Sequence, residues 1–444
     1  MKRVLVLAYF FPPLGGGGCQ RTLKLVRYLE PQGWRSTVIT TRDQDYWIQD
    51  PSLLPEIPAD AEVLRVGGFT AGKMLGVLSR AGAPAVQEAQ GARRPAAFRA
   101  LRALQQWVFF PDAYGGWANA AYRAAEDRVR AGGVDAVWTT SSPESAHVAG
   151  LRLKTRHGIP WVADFRDPWV GRVTYRPPTR WHDARHRAME RRVILAADQV
   201  TLVSEAMVAL YRSRYPEKDP SRFVFLPNGF DSDDWRRADV ERGRVLPIGE
   251  PRRFVLLHAG QLAHRPTVAT LLASARRAFE RDASAHRDLR LRFMGGNEEI
   301  GPRDPARYGL DAAVEVLPSK PHVESLTAMR RADALLLLGH GGAADALLYT
   351  GKLYEYLSSG RPILAIVDEG PAADLIRSTG AGVVVRPGDS EAAAETILGW
   401  LKAWREGRDL GVLLDPGVLS AWERANLAAQ AAKILTKIAS PSPL

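Results

Sequence analysis

Short apolar runs recur along the whole chain, each followed by a stretch with helical spacing, and that alternation restricts the fold more than any single motif. In the first half the runs are "RVLVLAYF", "RSTVITT", "VDAVWTT", "PWVADF" and "DQVTLVS"; in the second they are "RFVLLHAG", "LRLRFMGG", "AVEVLP", "ADALLLLG", "RPILAIV" and "GVVVRPG". Runs this short with no polar face are strands buried on both sides. Helices between them make the sheets parallel and cover both faces, which is an α/β architecture. Ligands of such sheets sit beyond the carboxyl ends of the strands. The 444 residues exceed what one hydrophobic core organises, so two domains are expected, over 1–240 and 241–415. The polar stretch from Trp235 to Arg253 reads as the linker between them. Residues 416–444 read as a C-terminal amphipathic helix that crosses back to the first domain. Residues 67–110 break the rhythm and read as an insertion, within which "RRPAAFRALRALQQWVFF" carries a basic and an apolar face.

The composition excludes several classes. The single cysteine, Cys19, allows neither an internal disulfide nor a multi-cysteine metal site, which favours a reducing compartment. The apolar start, Val4 to Phe11, ends in Pro12-Pro13 with no small-residue cleavage site, so it reads as a buried strand rather than a leader. Nowhere do about 18 apolar residues run together. The net charge of +11 is unevenly placed: residues 1–240 hold 34 Lys and Arg against 25 Asp and Glu. Arg65, Lys73, Arg80, Arg93, Arg94, Arg99 and Arg102 face one acid in their segment, Glu88. Such a patch attracts an anionic membrane face, a polyanion or a phosphorylated substrate, and it equally reads as a solvated surface.

Four stretches carry candidate chemistry. "PPLGGGGCQR" joins the first strand to the first helix and lets backbone amides approach an anion. The dinucleotide fingerprint fails there, because its last glycine position holds Gln20 or Arg21. "ADFRDPW" places Asp164, Arg166 and Asp167 at the carboxyl end of a strand, as reacting groups or as a salt-bridged turn before Pro168. "HAGQLAHRP" sets Gly260 at a strand end and Arg265 ahead of a helix, where an arginine can clamp a diphosphate. "YTGKLYEYLSSGRPILA" puts Thr350, Gly351 and Lys352 at the mouth of a short helix that Gly360 and Pro362 end. Amides and the Lys352 charge at that corner suit a pyrophosphate. Glu355, on the same face one turn deeper, suits the vicinal hydroxyls of a ribose. The pairs Asp231-x-Asp233 and Asp43-x-Asp45 have the spacing of a metal site, but Asp233 and Asp234 read as helix caps and no metal is assigned.

Together these segments resemble the family 4 retaining glycosyltransferases, which have the GT-B fold: two facing Rossmann-like domains with parallel sheets and an interdomain cleft. "FFPDAYGGW" and "DFRDPW" resemble the bacterial surface-polysaccharide branch of that family. The resemblance implies that the second domain binds a nucleotide-sugar, with Glu355 on the ribose and Arg265 and Lys352 on the diphosphate. Gly16 and Gly17 of the first domain would close on the donor phosphates, while Asp164 and Asp167 position an acceptor hydroxyl and Arg166 meets developing charge. It also implies no metal and no cofactor, since basic groups and amides stabilise the leaving diphosphate. Two positions depart from the family. Leu347 stands where the first acid of its Glu-x7-Glu motif belongs, with Asp345 the nearest substitute, and Gln261 replaces the usual arginine beside Gly260.

The expected activity is therefore retaining, hexosyltransferase-type transfer to a glycan or lipid-diphosphate-linked acceptor, in the cytoplasm or peripherally on the inner face of the plasma membrane. The competing readings are a nucleotide-sugar epimerase of the same fold and a degenerate scaffold without catalysis. Nucleic acid is not an expected partner, since no recognised module organises the basic residues.

Overall fold

The computed structural model describes residues 1–42, 48–68, 107–172, 175–244, 252–260, 262, 266–295, 305–342, 345–347 and 351–440. The chain divides into two compact units, Met1–Pro227 with Arg424–Leu444, and Asn228–Glu423. Most of the insertion expected over 67–110 lies outside the described residues.

In the first unit the five apolar runs form β1 (Lys2–Leu7), β2 (Trp34–Thr41), β4 (Ala136–Ser141), β5 (Trp161–Phe165) and β6 (Gln199–Leu202), and two strands outside those runs, β3 (Glu62–Val66) and β7 (Phe223–Phe225), complete the sheet. All pair in parallel in the order β3-β2-β1-β4-β5-β6-β7. The second unit repeats the design with β8 (Phe254–Ala259), β9 (Leu289–Met294), β10 (Val314–Leu317), β11 (Ala334–Leu338), β12 (Ile363–Ile366) and β13 (Gly382–Val385). Its parallel order is β10-β9-β8-β11-β12-β13. The direction of strand addition reverses between β1 and β4, and again between β8 and β11. At such a reversal the loops at the carboxyl ends diverge and leave a crevice.

The division falls at Pro227 and Asn228 where 240 and 241 were expected. The reason is the helix Ser232–Arg244, which occupies the first half of the stretch read as a linker. Its Trp235 and Ala238 are buried in the second unit's core beside Leu326 and Met329. Trp235 Nε1 also donates to Ser358 Oγ at 2.9 Å. The acid capping that helix is Asp231 rather than Asp233 or Asp234, for its Oδ1 accepts from the Asp233 amide at 2.9 Å. At the other end, Pro416–Ser420 stays with the second unit, and the return to the first begins at Arg424. The final helix, Arg424–Ala439, buries Leu427, Ala428, Ala431, Ala432 and Leu435 among Cys19, Leu23 and Val26 of the helix Gly17–Leu29. Among the described residues no helix is long and apolar enough to cross a membrane.

Helix Gly17–Leu29 also buries Arg21. Its Nε and Nη2 donate to Asp164 Oδ2 and Oδ1 at 3.0 and 2.7 Å, and the remaining guanidinium hydrogens reach the carbonyls of Leu226 and Pro227. Thr140 and Thr201 donate to the same carboxylate at 2.9 and 2.8 Å. Burial alone would raise the Asp164 pKa, but the Arg21 charge and these donors outweigh it and hold it below the ordinary value. The contribution of that carboxylate to stability is thus complete above the ordinary aspartate pKa, and is lost as pH falls through the lower folded value. Arg21→Met, which strands the carboxylate in the interior, is expected to cost roughly 3–5 kcal/mol, read as a lowered urea midpoint with the variant compared at pH 7.

Candidate functional site

The first candidate site lies at the carboxyl ends of β1, β4 and β5. Gly16 holds a φ of +93°, which favours glycine, and Gly17 opens the helix with open space where a side chain would stand. A Cβ on Gly18 would lie 1.9 Å from Arg166 Nη1, so the absence of a side chain there lets the guanidinium lie across the loop. Arg166 donates to the carbonyls of Ser141 and Ser142 at the end of β4.

Asp164 does not share this rim. Its two oxygens accept four hydrogen bonds, filling their lone-pair sites, and the side chain is 1% exposed. No lone pair remains for an acceptor hydroxyl, so the salt-bridged alternative describes this position. Asp167 is different: it is half-buried and accepts no hydrogen bond among the described residues. Burial raises its pKa, while the charges of Arg166 and Arg172 pull it down. Its loop is held from behind, where Val170 N donates to the buried Glu190 at 2.7 Å and Trp169 Nε1 to His186 Nδ1 at 3.0 Å.

The structure adds residues that sequence reading passed over. Asp112, within "FFPDAYGGW", accepts from the amides of Tyr114 and Ser145, both at 2.8 Å. Burial, then the neighbouring Glu144 charge, push its pKa up to about 6 against the pull of those amides. Glu144 pairs with Arg172. His147 is fully buried, which pushes its pKa down to about 3 and keeps the ring neutral. Its Nδ1 meets Thr139 Oγ1 at 2.7 Å and its Nε2 has no partner. The Gln20 amide, Ser141 Oγ and Arg172 Nε are likewise buried and unpartnered among the described residues. Orphaned polar atoms are rare in native interiors, and Ser141, one of these residues, also gives its carbonyl to Arg166. Of these residues only Glu144 carries a signal in sequence, as it stands three residues after the end of β4.

The second candidate site lies at the ends of β8 and β9. Gly260 has a φ of +139°, and a Cβ there would fall 1.3 Å from Lys352 Nζ, so the lysine crosses the bare backbone at the strand end. Gly295, with a φ of +150°, leaves the matching space against Gly260 itself. Lys352 opens the helix Lys352–Ser358, which is anchored by buried Leu353, Tyr354, Tyr356 and Leu357. The Tyr356 hydroxyl accepts from Ala259 N at 2.9 Å, tying that helix to the end of β8. Glu355 follows one turn later, partly exposed, and His322 Nε2 meets its Oε1 at 2.9 Å. Gly351 is exposed beside Lys352. Arg265 and Thr350 lie outside the described residues.

Asp345 does not stand in for the acid missing at Leu347. Its carboxylate accepts from the amides of His340, Gly341 and Asp368, and a Cβ on Gly339 would lie 2.1 Å from its Oδ2. Those contacts close the loop after β11 and turn the oxygens inward. Among the described residues no group of three or more His, Cys, Asp and Glu could hold a metal ion.

Two parallel sheets of this order, each with its candidate residues at the carboxyl edge, agree with two family models. Residues 15–234 match Glycosyltransferase Family 4, and residues 253–403 match Glycosyl transferases group 1. The chain is a glycosyltransferase of the GT-B type. No curated protein matches this glycosyltransferase over its sequence. Similar solved structures include a sucrose-phosphate synthase from Thermosynechococcus elongatus, 16% identical over 100% of both chains with a TM-score of 0.62. Anabaena HepE, solved in complex with UDP and glucose, is 15% identical over 98% of this chain and 100% of its own, with a TM-score of 0.61. The UDP-GlcNAc 2-epimerase of Methanocaldococcus jannaschii covers 98% and 100% at 12% identity, with a TM-score of 0.53. At these identities the likeness is one of fold.

A carboxyl whose pKa rises on folding binds its proton more tightly in the native state, so it lowers stability as pH climbs between the two values. For Asp112 that window runs from about 4 to about 6. Asp112→Asn is therefore expected to flatten the fall in melting temperature of the glycosyltransferase across this interval, measured by calorimetry at stepped pH.

Proposed function

We propose that this glycosyltransferase moves a hexosyl group from a nucleotide-sugar to a lipid-diphosphate-linked glycan, with retention of configuration and without a metal ion, in the assembly of a bacterial surface polysaccharide. The observation that carries the reading is the seating of Lys352 across Gly260, with Glu355 one turn further along the same helix. A cation against bare backbone at a strand end suits the leaving diphosphate, and a partly exposed carboxylate beside it suits the ribose. HepE, similar in fold, is described with UDP and glucose bound.

On the acceptor side Asp167 and Asp112, rather than Asp164, would meet the acceptor. Asp167 would accept a hydrogen bond from the attacking hydroxyl, while Arg166 lies where negative charge develops. Retention is drawn as same-face attack, the departing diphosphate taking the acceptor proton as the new glycosidic bond forms.

A membrane-borne acceptor is supported by the surface around the helix Arg180–Ala196. Trp107 and Trp181 flank His182 at ring distances of 5.4 and 4.9 Å and are 55% and 62% exposed. Val108, next to Trp107 in sequence, is exposed, Arg180 adjoins Trp181, and Arg185 lies over the rings of Trp181 and Phe110 at 5.2 and 4.1 Å. Aromatic rings among arginines suit an interface of anionic headgroups over hydrocarbon. Such a surface supports a peripheral position on the inner face of the plasma membrane.

A panel of nucleotide-sugars screened by thermal shift identifies the donor, because a ligand that binds the folded state alone stabilises it. Lys352→Ala is expected to weaken that donor roughly 10- to 100-fold, the worth of one charge-assisted contact; unchanged affinity would remove the site assignment. Activity is expected to survive EDTA, and NMR of the product should show the anomeric configuration of the donor. Trp107→Ser with Trp181→Ser is expected to abolish sedimentation with anionic vesicles while soluble-acceptor turnover persists. The epimerase reading draws on the Methanocaldococcus fold neighbour, and isomerised nucleotide-sugar formed from donor alone would favour it.

A further inference from the structure

We infer that His322 is a positioning residue for the donor site, holding the Glu355 carboxylate in the orientation that grips the nucleotide's ribose. The inference rests on the ribose reading of Glu355 given above.

Three helices meet at this ring. Glu355 comes from Lys352–Ser358, His322 is the first residue of His322–Arg331, and Asp234 lies in the first turn of Ser232–Arg244. His322 Nε2 stands 2.9 Å from Glu355 Oε1, while Nδ1 stands 3.5 Å from Asp234 Oδ2. A carboxylate only accepts, so the short contact requires the proton on Nε2. The second contact is longer than a direct hydrogen bond and attracts the ring only when both of its nitrogens carry protons. Asp234 is itself fixed, 2% exposed and paired with Arg237. The outer end of the chain is therefore rigid, and the inner end is the 18%-exposed carboxylate that must meet ligand.

A free glutamate has three rotatable bonds and would lose that freedom each time a ribose is bound. Ordering it in advance removes a cost worth about tenfold in affinity. One oxygen of Glu355 faces the imidazole and the other keeps its lone pairs, which matches a diol that offers two donors. The Asp345 carboxylate, closed on its own loop, offers no such help.

The test uses the full chain and calorimetric titration with UDP, GDP and ADP, the tightest then compared with its 2′-deoxy and 3′-deoxy counterparts. The wild type is expected to prefer the ribose form. Glu355→Gln should lose that preference, and His322→Asn should weaken binding about tenfold with the donor KM raised and kcat little changed. His322→Gln, whose amide nitrogen can reach the same oxygen, should recover most of the loss. The double variant should be no weaker than Glu355→Gln alone, because the two side chains act as one unit. Wild-type binding by Glu355→Gln would overturn the ribose reading itself. Wild-type binding by His322→Asn beside a weakened Glu355→Gln, or losses that multiply in the double variant, would overturn this inference and leave that reading standing. A His322→Asn chain that melts early is judged through His322→Gln, whose failure to separate KM from kcat counts against the inference.

Discussion

A bidentate ion pair closed away from water, Arg21 with Asp164, governs what the first unit can present at its sheet edge. Two charges removed from solvent demand complete hydrogen bonding, and here they receive it from β4, β6 and the carbonyls after β7. The helix that carries Arg21 is thereby pinned to the sheet. Its other buried face receives the returning C-terminal helix, whose Leu427 and Leu435 share the core with Leu23 and Val26. An acid committed in this way cannot also serve a substrate. The rim is left to Asp167, three residues on and half-buried.

The two units equip their edges differently. The first buries carboxyls and an imidazole at its edge, and that burial pushes Asp112 and Asp167 up in pKa while it keeps His147 neutral. Such an edge suits a group that must exchange or share a proton. Among the described residues, the second has the positive-φ glycines Gly260 and Gly295 at its strand ends, with Lys352 crossing Gly260. Such an edge suits close contact with an anion through backbone and a single cation. The contrast follows from residue choice at equivalent places in two sheets of almost the same order.

Much of this was legible before any coordinates. The apolar runs were all strands, because a run buried on both faces has no other stable use in a chain that alternates with helices. "TGKLYEY" was legible as a helix mouth, and Lys352 does meet Gly260 from 92 residues away. The linker was misjudged because "WRRADVERGR" is polar on average, whereas a helix needs only a narrow apolar stripe, and Trp235 with Ala238 supply it. Asp345 was misjudged because proximity in sequence to Leu347 says nothing of direction; the loop amides turned its carboxylate inward. Asp112, Glu144 and His322 were missed because each earns its environment from residues tens of positions away.

By itself, the sequence determined the class of fold, the doubled sheet and the ends of strands at which chemistry collects, since periodicity and glycine placement are local properties. Tertiary structure alone decided which acid is architectural and which is offered outward, and where one unit yields to the next. It also decided that an imidazole stands behind Glu355. Those outcomes depend on burial and on hydrogen-bond partners brought from distant elements, and a carboxylate's role is set by the lone pairs its neighbours leave unfilled.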